Sequence, residues 1–164
     1  MALKRLAAAF GGSLPKFSLY QTLRAVFGGI VFIVTLIPSG KNSPQYLRIS
    51  YFKGSFIKLK VYRESFLSEA GEKIGLIREA KTGDSAFDSE FLIFADKPER
   101  VAVIFYDSQA KESMRELFRM GYDRFTCDQK KIFISKPGYS IERDLEPEQF
   151  RRVLEKVDYL ARRL

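Results

Sequence analysis

The densest set of side chains able to do chemistry lies in Thr82-Gly83-Asp84-Ser85-Ala86-Phe87-Asp88-Ser89-Glu90. Asp84, Asp88 and Glu90 offer the oxygen ligands that a hard cation takes, or the carboxylates of an acid–base site. Their spacing is not that of a twelve-residue calcium loop, and no carboxylate dyad can be placed from it. Turn and cap duty is therefore the expectation, with side-chain oxygens closing the backbone of a loop. An enzyme or metal site on residues 84–90 is the second alternative. There is no glycine-rich phosphate loop, nucleophile elbow or dinucleotide fingerprint, so neither a cofactor nor a metal is expected.

Two scarcities narrow the chemistry further. The chain has no histidine, which removes the side chain best matched to proton transfer near neutral pH and every triad that uses it as base. It has one cysteine, Cys127, too few for an intramolecular disulfide or a multi-cysteine metal site. Between Thr126 and Asp128 in a strand-like run, Cys127 reads as a small buried hydrophobe.

The other chemically suggestive set is cationic. The net charge is +8, but its distribution is uneven: residues 1–63 hold ten basic residues and no acid. That leaves 18 of the 28 basic residues, against all 20 acidic ones, to the remainder. Arg48, Lys53, Lys58 and Lys60 belong to the basic third, in a stretch that alternates. Leu47, Ile49 and Tyr51 face one way and Arg48 the other, and Ile57, Leu59 and Val61 oppose Lys58 and Lys60. With Lys53-Gly54-Ser55 as turn, Tyr46–Tyr62 reads as one β-hairpin with a buried and a basic face. Such a face suits phosphate, from lipid headgroups or from a nucleic-acid backbone.

The elements that position these groups follow from periodicity. Residues 25–37 are uncharged and end at Pro38-Ser39-Gly40. Extended back through Arg24 to about Phe17, they reach the roughly 20 residues of a bilayer span, with Arg24 inside the helix and snorkelling toward the headgroups. Ile30, Val31, Phe32, Ile33, Val34, Leu36 and Ile37 would face lipid, so a short hydrophobic N-terminal helix over 17–37 is expected as a membrane anchor. The β-branched run Ile30–Thr35 also fits a buried strand, and a cleaved leader is a third reading. Ala2–Phe10 is a weaker amphipathic segment with Leu3, Leu6 and Phe10 on one side. Further along, Glu90–Ala95 reads as a strand. Asp96 reads as the cap of a helix from Lys97 to about Phe105, and Ser108–Met120 as a helix capped by Asp107 or Ser108 and ended by Gly121. Phe125–Cys127 and Ile132–Ile134 form a second hairpin. Phe150, Val153, Leu154, Val157, Leu160, Ala161 and Leu164 mark a terminal helix started by Pro147.

Several of these residues also resemble an uncharacterised family of prokaryotic membrane-associated proteins. The resemblance rests on Lys60-Val61-Tyr62-Arg63-Glu64, Lys73-Ile74-Gly75-Leu76, Thr82-Gly83-Asp84, Phe87-Asp88 and Phe91, and covers about residues 46–164. It implies a hydrophobic anchor before a domain of unknown function and carries over no catalytic residue.

With 46% hydrophobic residues, the chain has material for one ordinary core. The expected architecture is α+β: antiparallel hairpins packed with two or three helices over residues 46–164, behind a basic anchor segment over 1–45. The expected role is that of a membrane-tethered, non-catalytic accessory or interaction module, its globular part cytoplasmic. Its expected partners are anionic lipid headgroups and another membrane protein. A soluble nucleic-acid-binding domain is the first alternative.

Overall fold

Along Ile30–Ile37 burial alternates residue by residue, with Phe32, Val34 and Leu36 in the core and their neighbours half-exposed. That is a strand, and it overturns the expected anchor helix. In this computed structural model, which describes residues 2–16, 19–63 and 78–164, the run is β2 (Ile30–Ile37). It pairs antiparallel with β1 (Gln21–Phe27) on one side and β3 (Tyr46–Tyr51) on the other. Gly28 and Gly29 make the tight turn from β1 to β2 with φ of +57° and +80°. Two consecutive positive φ values are what a two-residue hairpin needs and what glycine adopts without strain. The alternation was hidden because Val31, Ile33 and Ile37 make the second face of the strand apolar as well. A strand apolar on both faces reads as a continuous hydrophobic run. Among the described residues no helix is long and apolar enough to cross a membrane. The buried-strand reading of Ile30–Thr35 is the one the structure adopts.

The remaining strands are β4 (Leu59–Arg63), β5 (Arg78–Ala80), β6 (Phe91–Ala95), β7 (Arg124–Cys127) and β8 (Ile132–Pro137). Together they form one antiparallel sheet of eight strands in the order β1-β2-β3-β8-β7-β4-β6-β5. The hairpin expected over Tyr46–Tyr62 does not form, because β8 and β7 lie between β3 and β4. Lys53-Gly54-Ser55 is not its turn; it carries the chain across the β7–β8 turn. The Ser55 N–H donates to the Asp128 carbonyl at 2.8 Å, and a Cβ on Gly54 would sit 2.1 Å from the Gln129 carbonyl oxygen. Only glycine lets the two backbones pass so closely.

Six helices are described: α1 (Ala2–Phe10), α2 (Ser85–Glu90), α3 (Pro98–Ile104), α4 (Ser108–Arg119), α5 (Ile141–Asp144) and α6 (Pro147–Ala161). The α+β architecture is as expected, with the N-terminal helix at Ala2–Phe10 rather than 17–37. Leu3 and Leu6 of α1 are buried, and Phe10 meets Phe32 and Phe150 edge-on at 5.8 and 5.9 Å. The amphipathic segment thus spends its apolar side on this core. Asp107 caps α4 and Glu146 caps α6, each accepting from a backbone N–H. Asp96 does not cap α3; its carboxylate accepts the Lys58 N–H at 2.8 Å and ties β4 to β6.

All the long helices bury their apolar sides in one cluster with the core face of the sheet. One charged pair is sealed beside it. Lys136 replaces an apolar residue on the core face of β8, opposite Leu47, and its ammonium meets Asp144 at 2.9 Å. Their side chains are 8% and 6% exposed. The ammonium also donates to the Met120 carbonyl at the end of α4, so the pair ties β8, α4 and α5 together.

Breaking this pair from one side should be costly. Asp144→Ala leaves a buried ammonium without its carboxylate, an expected loss of about 3 kcal/mol by urea denaturation. The double change Lys136→Met, Asp144→Leu should recover most of it. Burial alone would push the Asp144 carboxyl up, but bonds from Arg143, Lys136 and the Ser140 N–H hold it below its ordinary value. Its contribution is therefore present above the unfolded carboxyl pKa of about 3.9 and lost as pH falls through the lower folded value. The stability gap between wild type and Asp144→Asn should shrink only below about pH 4.

Candidate functional site

The acidic loop is built as a staple. Asp84 caps α2 by accepting the N–H groups of Ala86 and Phe87, both at 3.1 Å, and its other oxygen meets the Lys111 ammonium of α4 at 2.6 Å. Asp88 accepts from the Thr82 N–H and hydroxyl, both at 2.8 Å, and from the Gly83 N–H at 3.2 Å. Gly83 takes φ of +87° to make that turn. Glu90 pairs with Arg115 of α4 at 2.8 Å. Phe87 is fully buried against Phe91 and Phe105, with ring centroids at 4.8 and 5.2 Å.

Each carboxylate therefore has a structural partner. The Lys111 ammonium, with the Phe87 N–H, holds the Asp84 carboxyl below its ordinary value. A general acid needs the opposite shift. Among the described residues no group of three or more His, Cys, Asp or Glu is placed to hold a metal ion. Cys127 is buried, and burial pushes its thiol up to about 12, far from a reactive thiolate.

The cationic residues have a different setting. The sheet has a second face that no described helix covers; it is open over Arg24, Arg48 and Arg124 but buried at Leu92, Phe94 and Ser135, and the register assigns its members. One row runs Arg24, Ile33, Ser50, Phe133, Thr126, Lys60, Phe94, Glu79 across all eight strands. The next runs Thr22, Thr35, Arg48, Ser135, Arg124, Tyr62, Leu92. Arg48 and Lys60 do share this face, but β8 and β7 separate them, about 14 Å at ordinary strand spacing. Arg124 lies between them. Lys58, exposed, immediately precedes β4. Lys53 is elsewhere, donating to the Ala161 carbonyl at the end of α6.

Guanidiniums on this face lie over rings. Arg48 sits 4.9 Å from the Phe133 centroid and Arg124 5.6 Å from that of Tyr62. Cation–π contact holds a guanidinium flat while its N–H edges stay in water. Four cations, Arg24, Arg48, Lys60 and Arg124, thus stand in the strands of this face against one strand carboxylate, Glu79, which pairs with Lys81 at 2.7 Å; Asp123, just before β7, accepts the Ser135 hydroxyl of the same face at 2.7 Å. Arg24 falls within the stretch 17–37 expected as an anchor helix, and Arg124 belongs to neither candidate site of the sequence analysis. Each alternates out of phase with the buried residues of its strand, the one signal that could have found it. The motif residues Glu64 and Lys73-Ile74-Gly75-Leu76, like Phe17, lie outside the described residues.

No protein-family model and no curated protein matches this chain. Among solved structures it is similar to the crystal structure of a mycobacterial trehalose monomycolate transport factor A, with a TM-score of 0.63 and 9% sequence identity. The match covers 99% of this chain and 94% of that one, so the likeness is to the whole architecture. At this identity it is a likeness of fold.

Proposed function

We propose that this chain is a non-catalytic accessory module that works at a membrane surface, its open sheet face turned to anionic headgroups. The observation that carries the reading is the composition of that face: four strand cations, two of them braced on aromatic rings, against one strand carboxylate already paired and Asp123 bonded to Ser135. A braced guanidinium loses little rotamer freedom when it takes a phosphate. The shared fold with a protein named as a trehalose monomycolate transport factor is compatible with this reading. So is the resemblance of the Gly83-Asp84 and Phe87-Asp88 pattern to membrane-associated proteins.

The magnitudes fit an accessory role. A basic residue near an anionic leaflet contributes about 1 kcal/mol, so four give a dissociation constant of order millimolar. That suffices for reversible attachment and leaves residence to a second contact, such as another membrane protein. A nucleic-acid platform fits less well. Base stacking needs bare rings, but Phe133 and Tyr62 lie under guanidiniums and Phe94 is buried.

Co-sedimentation with vesicles of phosphatidylcholine, with and without roughly a third phosphatidylserine, tests this. Retention should require the anionic lipid and fall with added salt, and Arg48→Glu with Arg124→Glu should lower it about tenfold or more. Salt-dependent retention on RNA or DNA with none on the vesicles would overturn the proposal.

A further inference from the structure

One end of the sheet, where Tyr51, Leu59, Ala95 and Cys127 lie, carries large apolar side chains in water. Phe56 is 87% exposed, Tyr106 90%, Val103 67% and Phe52 44%. They come from two segments, the β3–β4 connection and the end of α3. Phe56 and Val103 line one cleft with Lys97 and Arg100.

The exposure of Phe56 is not that of a frayed loop. Its N–H donates to the Leu164 carbonyl at 3.1 Å, and its own carbonyl accepts the Lys97 ammonium at 2.8 Å. The Phe52 N–H donates to the Val31 carbonyl at 2.8 Å. The backbone is tied down while the ring is turned out.

Around these side chains stand Lys58, Lys97, Arg100, Lys130 and Lys131, none of them ion-paired among the described residues. The nearby acids are mostly committed inward. Asp96 accepts the Lys58 N–H, Asp128 accepts those of Lys130 and Lys131, and Asp107 is bonded to Tyr159 and Arg163. Glu99, in the first turn of α3, is the exception. Aromatic and aliphatic side chains held at fixed positions and ringed by unpaired cations match the boundary of an anionic bilayer. There rings sit at headgroup level and cations meet phosphates.

We infer that this end of the molecule inserts into the outer part of a bilayer leaflet, with Phe56 and its neighbours among the headgroups and upper acyl chains. The inference rests on the membrane reading above and supplies its orientation. Lys58 and Lys60, at the start of β4, carry the cations of the end onto the open face, which then leans over the headgroups.

The chain has no tryptophan, so Phe56→Trp creates a sole indole. Ile141, 51% exposed, lines a separate groove with Gln21 and Leu36 at the opposite end of the strands, and Ile141→Trp serves as the control. With anionic vesicles carrying brominated acyl chains, the Phe56→Trp emission should shift to shorter wavelength and be quenched, and that of Ile141→Trp should not. Phe56→Asp should lower vesicle partitioning about tenfold or more at an unchanged melting temperature, because the ring lies outside the core. Vesicle binding without quenching at Phe56→Trp, or with partitioning unmoved by Phe56→Asp, overturns the insertion and leaves the membrane reading standing. No binding to anionic vesicles overturns both.

Discussion

Ile30–Ile37 satisfies its backbone on two flanking strands, Gln21–Phe27 and Tyr46–Tyr51, rather than within a helix. This pairing sets one end of the sheet: β3 takes β2 on one edge and β8 on the other, and β7, β4, β6 and β5 follow β8 in turn. The turn at Gly28-Gly29 makes the first pairing possible, since two successive positive φ angles let a two-residue loop follow the strand twist. Once paired, the strand cannot separate its apolar from its polar side, because it has hardly any polar side. Phe32, Val34 and Leu36 go to the core, while Val31, Ile33 and Ile37 go to the open face beside the cations. The apolar character that suggested lipid around this segment instead makes the open face partly greasy.

What could be read from the residues follows how local the cause is. The helices Ser108–Arg119 and Pro147–Ala161 were legible, the first to within a residue and the second to within three at its C-terminal end, because their caps and apolar stripes lie inside a few turns of chain. The β7–β8 hairpin was legible for the same reason, Asp128 closing its turn through the N–H groups of Lys130 and Lys131. The partners of β3 and β4 were not. Alternation states that Tyr46–Tyr51 has a buried face but not which strand lies beside it, and the two strands that intervene come some 65 residues later in the chain. Gly54 was seen and misassigned, since a glycine for close backbone passage looks like a glycine for a turn.

The same distinction governs the candidate site. Arg48 and Lys60 could be assigned to an outward face strand by strand, but their neighbours on that face could not. Arg124 joins them only because β7 lies between, and Arg24 only because residues 21–37 are a hairpin. The motif loop shows the complement. Asp84, Asp88 and Glu90 were recognisable as a polar cluster with capping geometry, and the caps are local. Their ties to Lys111 and Arg115 depend on where α4 packs. Those ties also account for a marked pattern without catalysis, because a short loop must satisfy several backbone N–H groups and hold Phe87 in the core.

The two surfaces proposed to meet the membrane differ in range, and on that proposal the difference orders how they act. Charges are felt across about 8 Å at physiological ionic strength, whereas apolar side chains contribute only on contact. On the proposed membrane reading, Arg24, Arg48, Lys60 and Arg124 would govern approach and orientation, and Phe56 with Val103 and Tyr106 would govern how long the contact lasts. Added salt then acts mainly on association and removal of an exposed ring mainly on dissociation, as at other interfaces where steering and packing are separate. Lys58 belongs to both sets, exposed at the end of the sheet and one residue before the strand that carries Lys60. A molecule arriving with its open face toward the headgroups can thus pivot onto its apolar end without losing electrostatic contact.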